Sequence, residues 1–462
     1  MKAVHAYLRS LKPQLPRSVW LLEGAGVANS VGNGIAIPFL IIYLHEVRHF
    51  GLGTSGLVVA ALFGVGLVAG PVCGRFVDRV GARITLMASL VLLAAGYGGF
   101  PFVHHAWQAF VLAAIAGTGN GGFAPSHSSL LAALTSREQR NVAYALHRAT
   151  DNLGFGVGAL AGGLIATTRV PESFNVLFAL DAGTFLAFLA LLAFVPSPPP
   201  MPAAVRARGR YAEVARDRAF VWLLVVIAVL VAAAYAQIST VLPPYAKEHA
   251  SVSEAGIGVI FFVNTVVIVA AQLPLAKALE GRRRMRALAL SGALFALTCA
   301  AVLFTGLWLG NAAAVVALCA AIVVFSVAEC IHGAVQNPLV ADLAPEHLVG
   351  RYMALRTAAW QVGFLVGPAL GSFLLARAST GLWLGAAGAC AAAAAGALLL
   401  ERRIPAEAAR TPSSAKLGDE ALRVEWRTPT VRIDDPLSTG AEPSPHQASE
   451  TSHARGGRSH TA

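Results

Sequence analysis

Three ionisable side chains stand where such groups are expensive. Glu329 lies near the middle of the apolar run 312–336, His332 is one turn further along the same face, and Asp181 follows Val176-Leu177-Phe178-Ala179-Leu180 about two turns into another run. A charge at the centre of a lipid-embedded helix costs about 3 kcal/mol, so these groups are expected to face a cavity, a partner or a proton path. Their chemistry there is the uptake and release of protons, with Glu329 the first candidate. Glu23, within two turns of the start of a third run, can instead extend its carboxylate to the interface. Amides at Asn29, Asn33, Asn120, Gln237 and Asn264, with rings at Tyr43, Tyr235, Tyr245, Phe261, Phe262 and Trp360, could line a pocket for an organic molecule. An amide in such a run also serves as glue between helices, worth about 0.6 kcal/mol. The absence of a cationic cluster argues against a strongly anionic ligand.

The elements that must position these groups follow from composition. The chain has 462 residues, 56% of them hydrophobic and only 13% charged, which leaves too little polar surface for a water-soluble domain. A crossing takes roughly 20 apolar residues. The predicted spans are 19–43, 54–73, 84–103, 107–131, 144–166, 174–195, 220–243, 255–275, 287–308, 312–336, 357–376 and 380–400, twelve in all. Of the Lys and Arg residues in the connections, 18 fall on one side and four on the other (Arg48, Arg169, Lys247 and Arg377), which is expected to place the basic loops and both termini in the cytoplasm, with the chain in the plasma membrane. The net charge of +11 is scattered over short loops and a tail, so no nucleic-acid-binding face is expected. Cys73, Cys299, Cys319, Cys330 and Cys390 all fall in or beside apolar runs without zinc-ligand spacing, and no cofactor or metal is expected. No phosphate-cradling glycine loop with its Lys is present, and loops this short leave no room for a catalytic domain. An enzyme is therefore not expected.

The organisation is that of two halves. Residues 1–18 form a basic cytoplasmic segment, 19–195 and 220–400 two bundles of six helices, 196–219 a Pro- and Arg-rich cytoplasmic linker, and 401–462 a polar tail expected to stay disordered. A shift of 209 residues superposes Leu134 on Leu343, Ala145-Leu146 on Ala354-Leu355, Gly154-Phe155 on Gly363-Phe364, Gly158 on Gly367 and Gly162 on Gly371, and it brings Asn120 onto Glu329. The glycine series at four-residue spacing, with Pro368 in the second, allow close backbone contact and a bend. Pro38 and Pro243 allow further bends near the outer ends of spans one and seven. Arg148 and Asp151, three apart, can pair on one face.

Between the second and third spans runs Gly74-Arg75-Phe76-Val77-Asp78-Arg79-Val80-Gly81-Ala82-Arg83. This stretch resembles the signature loop of the major facilitator superfamily, whose members are all-α membrane proteins of two pseudo-symmetric six-helix bundles. The run Gly158-Ala159-Leu160-Ala161-Gly162-Gly163 resembles the Gly-Pro-x-x-Gly-Gly signature of its proton-coupled antiporters, with Ala159 in place of Pro. The resemblance implies that Asp78 and Arg79 latch the halves on the cytoplasmic side against the start of span eleven near Thr357, with Gly74 allowing close helix approach and Gly81 the reversal into span three. It also implies a monomer, a small-molecule substrate and a proton as coupling ion. Ala113 stands where exporters of this kind carry an Arg in span four, so another residue must bind the proton. Export of drugs or metabolites is the first expectation, import by a symporter or uniporter of the same fold the second, and a sensor that moves nothing the third.

Overall fold

The computed structural model describes residues 15–196, 211–345, 348–405 and 408–411. Its elements are helices: α1 (Arg17–Val47), α2 (Leu52–Val80), α3 (Ala82–Phe102), α4 (Ala106–Leu134), α5 (Arg137–Ile165), α6 (Glu172–Leu192), α7 (Arg218–Ala250), α8 (Glu254–Ala278), α9 (Arg284–Trp308), α10 (Asn311–Leu343), and a final stretch Val349–Leu400 that Ala378 (φ −156°, ψ 70°) breaks into α11 and α12. Nine of these stretches are long and apolar enough to cross a membrane, the broken one counted once. α4 and α5, each 29 residues long, fall outside the nine. The reason is chemical. α4 carries Gly117-Thr118-Gly119-Asn120-Gly121-Gly122 at its centre, and the first half of α5 is charged.

Most helices run past the predicted spans. At 1.5 Å per residue α2 is about 43 Å long, more than the apolar core of a bilayer, and only its middle is uniformly apolar. The stretch from Gly74 to Val80 is therefore the last two turns of α2, and not a loop. A Cβ at Gly74 would meet open space. Gly81 alone makes the turn, at φ 97°, where other residues are strained.

The repeated glycines do one job in each half. Gly154, Gly158 and Gly162 of α5 lie against the backbone of α1 from Val27 to Ile35, and Gly363, Gly367 and Gly371 of α11 lie against α7 from Ala228 to Gln237. Small residues permit this approach, and dispersion then holds helices that lipid would otherwise separate. α1 and α7 both depart from α-helical geometry. α1 tightens to a 3₁₀ turn at Ile37–Phe39, around Pro38, and widens to a π turn at Tyr43–Val47; α7 has π turns at Val231–Tyr235 and Gln237–Val241, just before Pro243.

The helices present Leu273, Trp308 and Leu399 to the outside at more than 70% exposure, as a lipid-facing surface does. Near the linker, Asp217 accepts from the Phe220 amide (3.0 Å) and so caps α7, while Tyr352 donates to its other oxygen (3.0 Å). Residues 197–210 lie outside the described residues, as do 1–14 and the tail beyond 411. The tail's first residues are held. Glu401–Arg403 continue the last helix, and 408–411 pair with the α8–α9 turn through Arg284 N to Ala409 O (3.0 Å) and Thr411 N to Arg282 O (3.1 Å). Arg284 is buried there and pairs with Asp342 at 2.6 Å. That turn is fastened within its own half.

Candidate functional site

Two ends of the bundle are distinguished by charge: a basic end, with Gly81 and the turn at Gly281, and the opposite end, where α1 and α7 finish and α8 begins. Two helix pairs, α5 with α8 and α2 with α11, pack the halves together. Gly156 of α5 packs on Thr265 of α8, Gly163 on Gly258, and Phe155 meets Phe261 edge to face (6.3 Å). Gly53, Gly56 and Gly64 of α2 pack on Phe373, Ser372 and Leu365 of α11, and Phe63 stacks on Phe364 (4.8 Å). All these contacts lie between mid-depth and the opposite end.

An ionic cluster closes that end. Lys247 Nζ lies 2.9 Å from Glu46 of α1 and 2.8 Å from Glu254 of α8, and it donates to Thr168 Oγ1 (2.7 Å) in the α5–α6 loop. Thr168 in turn donates to Glu254 from its amide and hydroxyl, both at 3.1 Å. His45 and Glu248 add a second pair across the halves (3.5 Å). Lys247 thus ties its own half to two elements of the other. In the sequence it is one of four scattered cations, and nothing in its spacing marks the role.

The signature residues lie at the basic end. Asp78 makes no hydrogen bond or ion pair among the described residues, so the cytoplasmic latch implied by the signature is not closed in this state. Among the described residues neither Asp78 nor Arg79 is bonded to α11. Arg83 donates to the carbonyls of Leu192 (3.1 Å) and Ala193 (2.8 Å), capping α6 within its own half. Val68, Val72 and Phe76 of α2 are exposed. An apolar groove of about 820 Å³ runs along α2 and α3 there, but the hydroxyls of Thr85, Ser89 and Thr118 are bonded to their own helices and offer a ligand no polar handle.

The polar groups that could handle a substrate collect at mid-depth. On the second half, Asn264 of α8 donates to Ser326 Oγ (2.8 Å) and to Glu329 Oε2 (3.4 Å). His332 is wholly buried, shares a 3.0 Å hydrogen bond with the Tyr235 hydroxyl, and has Trp360 at 6.1 Å between ring centres. From the first half Arg148 of α5 reaches over: its guanidinium would lie 3.3 Å from a Cβ at Gly333, one turn beyond Glu329, and its charge acts on Glu329 and His332. The anticipated Arg148–Asp151 pair does not form. Asp151 instead accepts a hydrogen bond from Ser30 of α1.

Asn29, Asn33 and Asn120 meet, with Tyr97 and Phe123, around a cavity of about 110 Å³ inside the first half. The Asn29 carbonyl there has no partner. Asp181 is fully buried against Gly32 of α1, both carboxylate oxygens unpartnered. Gln237 is the exception among the amides. Its Nε2 donates to Ala232 O (2.9 Å), freed by the π turn, and to Gly367 O (3.0 Å), so it fastens α7 to α11. Glu23 does not reach the interface; it is buried beside His127 and His147.

Known proteins share this architecture. The model of the Major Facilitator Superfamily matches residues 24–253 and again 238–437. Among curated relatives, the uncharacterized MFS-type transporter YhjO of Bacillus subtilis is 24% identical over 368 residues, 79% of this chain and 88% of that protein. Multidrug resistance protein MdtH of Cronobacter sakazakii is 24% identical, covering 74% of this chain and 83% of its own length. A Na(+), Li(+), K(+)/H(+) antiporter of Planococcus maritimus is 22% identical over 72% and 84%. In fold, the chain is similar to a peptide transporter POT crystallised with alafosfalin (TM-score 0.70, 17% identity, covering 84% of this chain and 95% of that one). Matched twice along its length, and built of two glycine-packed halves, the chain belongs to the Major Facilitator Superfamily.

Proposed function

We propose that this transporter exports an amphipathic organic molecule from the cytoplasm in exchange for protons, and that Glu329 takes the proton. The observation that carries this reading is Arg148: a cation of the first half that reaches the second beside Glu329, at the level where the halves must part. A proton on Glu329 weakens its attraction to the Arg148 charge, so protonation and the separation of the halves are linked through that attraction. The substrate lies against Tyr235, His332 and Trp360 on one side and the Asn29, Asn33 and Asn120 wall on the other. All twelve helices cross the plasma membrane, the basic end and both termini face the cytoplasm, and the chain works as a monomer. Asp78 and Arg79 close the basic end in the alternate state, and Gly158, Gly162, Gly367 and Pro368 are the packed pivots.

The names of the multidrug and cation/H(+) relatives support export and proton exchange. The test is uptake into everted membrane vesicles energised to an acid interior. Accumulation of hydrophobic cations or antibiotics, collapsed by a protonophore, is the expected result. Failure to accumulate any of a broad panel, with loss of growth on single nutrients after gene deletion, would make the protein an importer.

A further inference from the structure

Inside the first half, on the basic side of the mid-depth site, three donor side chains from three helices converge. Glu23 lies in the second turn of α1, His127 toward the end of α4, and His147 in the third turn of α5. Glu23 Oε2 is 3.1 Å from His147 Nδ1, and Glu23 Oε1 is 3.9 Å from His127 Nε2. The imidazoles of His127 and His147 stack with centres 4.3 Å apart, and one donor atom from each of the three residues lies within 4.8 Å of the others. Glu23 and His127 are 2% exposed. Both ring nitrogens of His127 and one carboxylate oxygen of Glu23 have no hydrogen-bond partner. A buried carboxylate and an imidazole left unpaired are each costly.

The geometry points to a binding site for a divalent first-row transition-metal ion of the zinc class, held by Glu23, His127 and His147. Two imidazoles and a carboxylate form the donor set such ions prefer, whereas magnesium and calcium prefer oxygens alone. In a tetrahedral site with bonds of about 2.0–2.1 Å, donor atoms stand about 3.3 Å apart. The Glu23–His147 pair already has this spacing, and His127 approaches by a small turn of its ring. Three protein donors leave a fourth position open. His147 is the way in: its side chain is 29% exposed while the other two are closed off. The aromatic rings of Phe123 and Phe188 back His127 and keep water from that side. A bound ion would tie α1, α4 and α5 together and fix the residue just before Arg148.

The test uses full-length protein in detergent, tag removed and stripped with chelator, titrated with zinc chloride and followed by equilibrium dialysis with metal analysis and by thermal melting. Cobalt(II) in place of zinc adds an absorption spectrum that reports its ligands. The expected result is one zinc per chain, a raised melting temperature and a tetrahedral cobalt spectrum, with affinity weakened at least tenfold in His147→Gln and in Glu23→Gln, and no effect of magnesium. His147→Gln, at the partly exposed position, keeps the test valid if a buried variant fails to fold. Zinc binding that is equal in wild type and in both variants would assign the metal to the cysteines or to other histidines, and would overturn the proposal. So would the absence of zinc binding.

Discussion

Replacing Glu329 with Gln is expected to abolish the pH dependence of substrate binding while leaving the binding itself in place. If the proton and the substrate bias the same two states, each alters the affinity of the other by the same factor, typically about 5–150-fold. The Gln side chain keeps the hydrogen bond to Asn264 and the volume of Glu329, but it cannot gain or lose a proton. Binding measured by tryptophan quenching across pH should therefore give a flat line in the variant and a slope in the wild type, and proton-driven accumulation should fall to the level of empty vesicles. Arg148→Gln should keep a pH dependence but shift it, because Arg148 is one of the groups that act on Glu329, beside its burial and the Asn264 hydrogen bond. A Glu329→Gln carrier that still accumulates substrate against a gradient would move the proton elsewhere, with Asp181 the next group to test.

The second large effect is expected at the opposite end. Lys247 neutralises two carboxylates on two different helices, Glu46 and Glu254. Lys247→Ala leaves those carboxylates facing one another and removes the Thr168 bond. Breaking a well-buried pair costs about 3–5 kcal/mol, but these side chains are partly exposed, so about 1–3 kcal/mol is the proper scale. Only the state closed at that end loses this energy, so the population open there should rise by about 5–150-fold. The readout is labelling of a cysteine at position 33 by a membrane-impermeant reagent applied from the opposite face, with the native cysteines replaced. Faster labelling in Lys247→Ala and recovery in Lys247→Arg are expected; labelling unchanged by Lys247→Ala would remove the cluster from the gate.

Much of this molecule is legible in the chain. The helices follow from apolar length, Gly81 from the need for a reversal, and the α1–α5 and α7–α11 contacts from glycines at four-residue spacing in both halves. The repeat also carries the site's asymmetry, since Asn120 in the first half answers Glu329 in the second. Three things are not legible, each for a physical reason. Helix ends extend past the apolar core, so hydropathy stops α2 too early and makes a loop of its final turns. Pairing across the halves depends on tertiary depth: Arg148 has Asp151 three residues away, yet Ser30 takes the carboxylate and the guanidinium turns to α10. Clusters such as Lys247 with Glu46 and Glu254, or Glu23 with His127 and His147, join residues from elements far apart in the chain, and no spacing along the sequence connects their members.

The most direct test of two halves that rock about the mid-depth site is a distance measured across the basic end by electron spin resonance. Spin labels at Val80→Cys on α2 and Ala354→Cys on α11, both exposed, report it in a background without the native cysteines. A long distance in the resting protein, and a second, shorter population that grows in Lys247→Ala, is the expected result. A single distance that neither pH, substrate nor Lys247→Ala alters would contradict the alternating-access account.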